Sequence, residues 1–252
     1  MFSLKGKTII VTGGARGIGK VVAGDLAKMG ANIAIVDMLV DEAKETAQLI
    51  ANAHGVKTNS YVCDVTSPQQ AGDTIGKIAD DFGGLDVLFN NAGIVLHKSA
   101  LEVTPEEWLK VNDVNYNGVF YMAQAFAKKL VALGRPGSII NNASMSGTIV
   151  NVPQEQASYN ASKAAVIHLT KSLAVEWAKH NIRVNSISPG YTRTDLIGGV
   201  NPDWVATWEK ASPFGRLATP EELSGAVIYL ASDCSSYTSG LDMILDGAFT
   251  CV

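Results

Sequence analysis

Tyr159 and Lys163 stand four positions apart in "YNASK", residues 159–163, so on a helix both side chains leave one face, a single turn apart. A phenol with an ordinary pKa of about 10 is a poor base near neutrality. An ammonium roughly 4–5 Å away, at an effective dielectric of about 20, favours the phenolate by about 3–4 kcal/mol. At about 1.36 kcal/mol per unit, this predicts a phenol pKa two to three units below the ordinary one. Such a group could give and take protons at physiological pH. The same spacing also suits an idle pair on a solvated helix face, so the neighbours must decide.

Ser144 closes "SIINNAS" fifteen residues before Tyr159, where a hydroxyl at a strand's carboxyl end could hold a substrate oxygen. "NNAG" (90–93) ends another apolar run and offers a flat, small-residue wall. Asn115, in "DVNYNGVF", falls mid-helix, where asparagine is disfavoured unless its amide bonds something. "TGGARGIG" (12–19) follows the first strand and opens the first helix, with Gly13, Gly17 and Gly19 spaced G-x-x-x-G-x-G. Glycines there let a backbone approach a pyrophosphate, and a helix N-terminus offers free N–H groups and a positive dipole end. Asp37 ends the second strand, 18 residues beyond Gly19, where a carboxylate can bind ribose hydroxyls and repel a 2′-phosphate. Arg16 is the contrary signal, since a basic residue in that turn can serve a phosphate. The charge at Asp37 favours NAD over NADP.

Those residues need a scaffold that brings strand ends together. Apolar, β-branched runs at 7–13, 31–37, 58–64, 85–91, 137–144, 182–190 and 241–247 read as strands, several covered on both faces. Helical patterns lie near 18–29, 40–54, 68–82, 105–133, 157–180 and 220–232. Thr104, Pro105 and Glu107 make a capping-box start, and "TPEEL" at 219–223 repeats it. Strands alternating with helices predict an α/β fold: one Rossmann-type, doubly wound, seven-stranded parallel sheet in a single domain, 1–252, with ligands at the carboxyl ends. The irregular stretch 191–219, rich in Gly, Pro and Trp, is placed to be a substrate lid.

The bulk numbers exclude other classes. A net charge of −4 over 252 residues gives no electrostatic footprint for nucleic acid. Cys63, Cys234 and Cys251 lack CxxC spacing, and the four histidines form no HxxxH pattern, so no metal site is expected. No apolar run reaches about 18 residues and no leader is visible, which predicts a cytoplasmic protein without a membrane partner.

With "TGGARGIG", "NNAG", Asn115, Ser144, "YNASK" and "SPGYTRT" in this order, the chain resembles the short-chain dehydrogenase/reductase family over its whole length. The resemblance implies an acid/base role for Tyr159, a carbonyl-oxygen partner in Ser144 (Ser146 being its rival), and a Lys163 that lowers the phenol pKa and holds the nicotinamide ribose. It implies that Asn115 anchors a water leading from Lys163 to solvent. The cofactor would be lined by Gly13, Arg16, Gly17, Ile18, Gly19 and Asp37, by Asp64 and Val65 near adenine, and by Asn91, Ala92 and Gly93. Pro189, Gly190, Thr192 and Thr194 would pass beside the nicotinamide. A homotetramer joined through the 105–133 and 157–180 helices is also implied.

"SMSGTIVNVPQEQASYNASK", "SPGYTRTD" and "DGAFTCV" resemble the polyol and ketose branch: mannitol 2-dehydrogenases, sorbose reductases and arabinitol dehydrogenases. Many members of that branch use NADP, from which Asp37 departs. The expected reaction is hydride transfer between NAD(H) and a secondary alcohol or ketone, a sugar alcohol and its ketose, with Gln154, and also Asn151 and His97, as candidates to bind substrate hydroxyls. Trp204 and Trp208 are expected to seal a helix rather than serve the site. The alternatives are an NADP(H)-dependent carbonyl or 3-oxoacyl-thioester reductase and, from another class, a catalytically silent cofactor-sensing or scaffold protein.

Overall fold

The computed structural model describes residues 2–194 and 199–252. Its strands are β1 (Thr8–Thr12), β2 (Asn32–Asp37), β3 (Thr58–Val62), β4 (Val87–Asn90), β5 (Gly137–Asn142), β6 (Ile182–Pro189) and β7 (Asp242–Leu245). All seven pair in parallel, in the order β3-β2-β1-β4-β5-β6-β7. The chain order reverses between β1 and β4, so the crevice above that pair is where a doubly wound sheet binds ligands.

Side-chain alternation divides the core in two. Ile9, Val11, Ile33, Ile35, Val87 and Phe89 point to the face covered by α1 (Gly17–Lys28), α2 (Val40–His54) and α8 (Glu221–Ala231). Ile10, Ala34, Val36 and Leu88 point to the other, covered by α3 (Pro68–Phe82), α5 (Gly118–Leu133) and α6 (Ala157–Trp177). With both faces covered, β1 is buried throughout, which is why "TIIVT" reads as an unbroken run rather than an alternation.

Three elements differ from the sequence reading. The 105–133 segment is α4 (Pro105–Asn112), then a π turn (Asp113–Asn117), then α5. The lid segment contains α7 (Pro202–Ala211), while its residues 195–198 lie outside the described ones. The two capping designs also diverge. At α4 the box is complete, with Glu107 N–H donating to Thr104 Oγ1 and Thr104 N–H donating to Glu107 Oε2. At α8 only the Thr219 N–H to Glu222 Oε2 bond forms, because the Glu222 N–H donates to the Thr219 carbonyl at 3.1 Å instead of its hydroxyl; Arg216 also grips that carboxylate through two nitrogens at 2.7 and 2.8 Å. Among the described residues no helix is long and apolar enough to cross a membrane, and no group of three or more His, Cys, Asp or Glu side chains could hold a metal.

Candidate active site

The turn after β1 is shaped as a cradle. Gly13 has φ +61°, and a Cβ there would stand 2.8 Å from Ala92 Cα; a Cβ on Gly19 would run into the Gly13 carbonyl. Gly17, at φ +56°, has open space except for the Thr194 methyl, 3.9 Å from where its Cβ would lie. No side chain caps α1, so its first N–H groups are left for a ligand. A bare backbone at an uncapped helix end fits a pyrophosphate. Asp37 lies beside this turn: its Oδ2 accepts from Ala15 N–H at 3.0 Å and its Oδ1 from Leu39 N–H at 3.1 Å. Arg16 is exposed, and Ile18 is partly buried against the α1/α8 core.

β4 delivers the opposite wall. Thr12 Oγ1 accepts from Asn91 N–H and Ala92 N–H, while Asn91 Nδ2 donates to the Thr12 and Gly13 carbonyls at 3.1 and 3.0 Å. Gly93 lies beside the lysine, since a Cβ on it would stand 3.6 Å from Lys163 Nζ. Beyond β3, Asp64 Oδ1 holds Thr66 through N–H and hydroxyl, and Val65 packs where Gly118 leaves room. β6 brings Pro189 and Gly190 to the same end, and a parallel bridge pairs Thr192 with Ala218.

Ser144 follows β5 by two residues and starts a 3-10 turn, its Oγ accepting from Ser146 N–H at 3.1 Å. Its hydroxyl also hydrogen-bonds the Tyr159 phenol. Ser146 is turned elsewhere, its Oγ accepting from Gln156 Nε2 at 3.3 Å. One turn along α6 from Tyr159, Lys163 sets its Nζ 5.5 Å from the phenol ring centroid and donates to the Asn142 carbonyl at 2.7 Å. The helical reading of "YNASK" therefore holds, and Tyr159, Lys163 and Ser144 converge.

Their electrostatics differ from the sequence expectation. Burial pushes the Tyr159 phenol above its ordinary pKa, with only the Ser144 hydrogen bond opposing. Burial also pulls Lys163, which is 3% exposed, down to about 8. A Coulomb argument on two helix positions counts the attraction but omits the desolvation that enclosing both groups entails. Here desolvation wins, and the resting phenol is protonated.

Asn115 is buried in the π turn. Its Oδ1 accepts from Ile94 N–H at 2.8 Å, while its Nδ2 donates to the Ile94 carbonyl at 2.8 Å and to Ser162 Oγ at 3.1 Å. With both amide hydrogens engaged, this side chain clamps the "NNAG" loop to α6, so it does not itself offer a donor to water. Gln154 is committed too: its Oε1 accepts from Trp208 Nε1 at 2.9 Å and its Nε2 donates to the Tyr191 hydroxyl at 2.8 Å. It serves the wall of the site instead of standing free for a substrate. Trp208 is 4% exposed and seals α7 to the body. Sequence reasoning assigned nothing to Asn142 or Tyr191. Asn142 carries the lysine's acceptor and donates from Nδ2 to Asn91 Oδ1 at 2.9 Å; only its place in "IINNAS" hinted at it.

Known proteins are similar to this chain over its whole length. A family model described as enoyl-(acyl carrier protein) reductase matches residues 13–250. Sorbose reductase SOU1 of Candida albicans is 44% identical over 100% of this chain and 89% of its own length. The NADP-dependent mannitol dehydrogenase of Alternaria alternata is 42% identical over 99% of this chain and 94% of its own. A short-chain type dehydrogenase/reductase from Mycobacterium marinum superposes with a TM-score of 0.96 at 45% identity, covering 100% of this chain and 98% of that one. A cradle for a dinucleotide beside a Ser–Tyr–Lys cluster, on a chain with these relatives, has one explanation: the protein belongs to the short-chain dehydrogenase/reductase family and is a nicotinamide-dependent oxidoreductase.

Proposed function

We propose that the protein interconverts a sugar alcohol and its ketose, using NAD(H), with Tyr159 as proton donor and acceptor. The convergence of Tyr159, Lys163 and Ser144 beside the glycine-rich turn carries this reading. The Gly13–Gly19 turn, Asn91–Gly93 and the 189–194 segment would hold the dinucleotide, with Asp64 and Val65 toward adenine. When bound, the nicotinamide supplies or accepts the hydride. Ser144 orients the reacting oxygen by a hydrogen bond. In reduction Tyr159 Oη gives its proton to that oxygen; in oxidation it takes one. Lys163, with a pKa near 8, is suited to replenish or drain that proton. Asn115 keeps the loop after β4 clamped to α6. The single domain, the lid role of α7 and a homotetramer belong to the same proposal.

The negative charge of Asp37 beside the turn supports NAD(H), since a 2′-phosphate would meet a carboxylate. The substrate class is supported by the polyol and ketose names of the relatives. The test is a panel of polyols and ketoses followed at the reduced-nicotinamide absorbance band, with each nucleotide separately. Turnover of a ketose with NADH is expected. A clear preference for NADPH would overturn the cofactor assignment, and preference for a 3-oxoacyl thioester would replace the substrate class.

A further inference from the structure

The sheet loses one rung where β4 and β5 part at the crevice. Ser138 N–H donates to the Asp86 carbonyl at 3.0 Å, so the even-numbered residues of β5 turn their backbone groups to β4. The two strands pair as far as Asn90 and Asn141. One step further, a parallel ladder would carry Ala92 N–H to the Asn142 carbonyl. Ala92 N–H instead donates to Thr12 Oγ1, on β1, at 3.1 Å. The freed Asn142 carbonyl accepts from Lys163 Nζ at 2.7 Å, and among the described residues it is the only hydrogen-bond acceptor that the ammonium has.

The side chain of Asn142 spans the gap that the missing rung leaves. Its Nδ2 donates to Asn91 Oδ1 at 2.9 Å. Asn91 commits its own Nδ2 to the Thr12 and Gly13 carbonyls, so its Oδ1 can only accept and Asn142 must present its NH₂ group there. Both amides thus have one orientation. A continuous path runs from the glycine turn through Asn91 and Asn142 to Lys163, crossing β1, β4 and β5 in the order in which they stand. Asn142 is 8% exposed, which leaves solvent little part in holding this strand end.

We infer that Asn142 is a positioning residue for the proton step: its amide replaces the missing rung and so keeps its own carbonyl on Lys163. The glycine turn and the lysine beside Tyr159 then share one frame, because Asn91 grips the turn and Asn142 grips Asn91. Without the amide, β5 is still held to β6 through Ala143 N–H and the Ile187 carbonyl, but its link to Asn91 is gone. The inference rests on the proton role of Lys163 proposed above and adds the residue that aims it; it does not depend on the substrate.

The test is a set of urea melts from about pH 6 to 10.5 on the nucleotide-free protein, wild type against Asn142→Leu. Leucine matches asparagine in size and removes the amide. Tyr159, on the same helix, is the titratable side chain facing Lys163, and no carboxylate among the described residues pairs with it. Wild-type stability should rise with pH from about 8, where the folded lysine releases its proton, to 10.5, where the unfolded one does. Loosening the carbonyl removes a hydrogen bond that favours the ammonium, so in Asn142→Leu the rise should begin about one pH unit lower. The alkaline limb of kcat for ketone reduction should move down with it, followed with D-fructose or, if no ketose is turned over, with 2-hexanone. Asn91→Ala, which removes the acceptor, should begin its rise at the same lower pH, and the double variant no lower. If Asn142→Leu does not fold, Asn142→Ser takes its place with the same outcomes. A rise or a limb that stays at the wild-type pH, or a double variant that adds the two shifts, overturns the inference and leaves Asn142 an ordinary strand-end residue. A wild type with no rise at all contradicts the proton role of Lys163 itself, and the inference with it.

Discussion

The floor and the roof of this site are held by different kinds of bond. On the floor, most side-chain bonds go to backbone: Asn115 to both polar atoms of Ile94, Asn91 to the Thr12 and Gly13 carbonyls, Lys163 to the Asn142 carbonyl, Ser144 to Ser146 N–H, with Asn115–Ser162 and Asn142–Asn91 as the side-chain links beside them. On the roof, side chains bond to side chains: Trp208 to Gln154, Gln154 and Asn151 to Tyr191, with rings stacked among them. A backbone partner exists whatever residue supplies it, so the floor keeps its geometry once the strands and helices form. A side-chain partner exists only while its identity does. The floor therefore suits chemistry shared across substrates, and the roof suits recognition of a particular one.

Substitutions on the two regions should separate kcat from KM. The largest effect is expected for Tyr159→Phe, which removes only the hydroxyl: turnover should fall by about 10²- to 10⁴-fold while nucleotide binding, read by fluorescence titration, persists. Lys163→Met should also lower turnover, and it carries a stability signature. The unfolded lysine keeps its proton up to about 10.5, whereas the buried one releases it near 8. Between those values the unfolded state binds more protons, so wild-type stability rises with pH there. The rise amounts to at most about 3 kcal/mol, and urea melts across pH 8–10.5 should show it in the wild type and not in Lys163→Met. On the roof, Trp208→Phe leaves Gln154 Oε1 without its donor and should cost about 1–3 kcal/mol of stability. It should raise KM for a ketose with little change in nucleotide affinity; a fall in kcat alone would break the division between floor and roof.

Legibility in the sequence follows the same division. The glycine turn, "NNAG", Ser144 and the Tyr159–Lys163 pair were visible because strand ends and helix turns fix where such residues must go. The π turn at Asp113–Asn117 was not, since a one-residue widening of a helix carries no residue signature beyond the oddly placed Asn115. Gln154 was read as a substrate ligand because its commitment depends on Trp208, 54 residues away. The "TPEE" repeat misled because the Glu222 N–H turns to the Thr219 carbonyl instead of its hydroxyl, a matter of backbone geometry that the residue types do not fix. The phenol pKa had its direction reversed because burial, unlike spacing, is a tertiary property.

That reversal is the central claim: in the free protein Tyr159 is held protonated by burial, beside a lysine whose own pKa burial lowers to about 8. The most direct measurement is a pH titration of phenolate ultraviolet absorbance, taken as the difference between wild type and Tyr159→Phe. Ionisation of Tyr159 above its ordinary value of 10 is expected, and a phenolate appearing near neutrality without nucleotide would contradict the account.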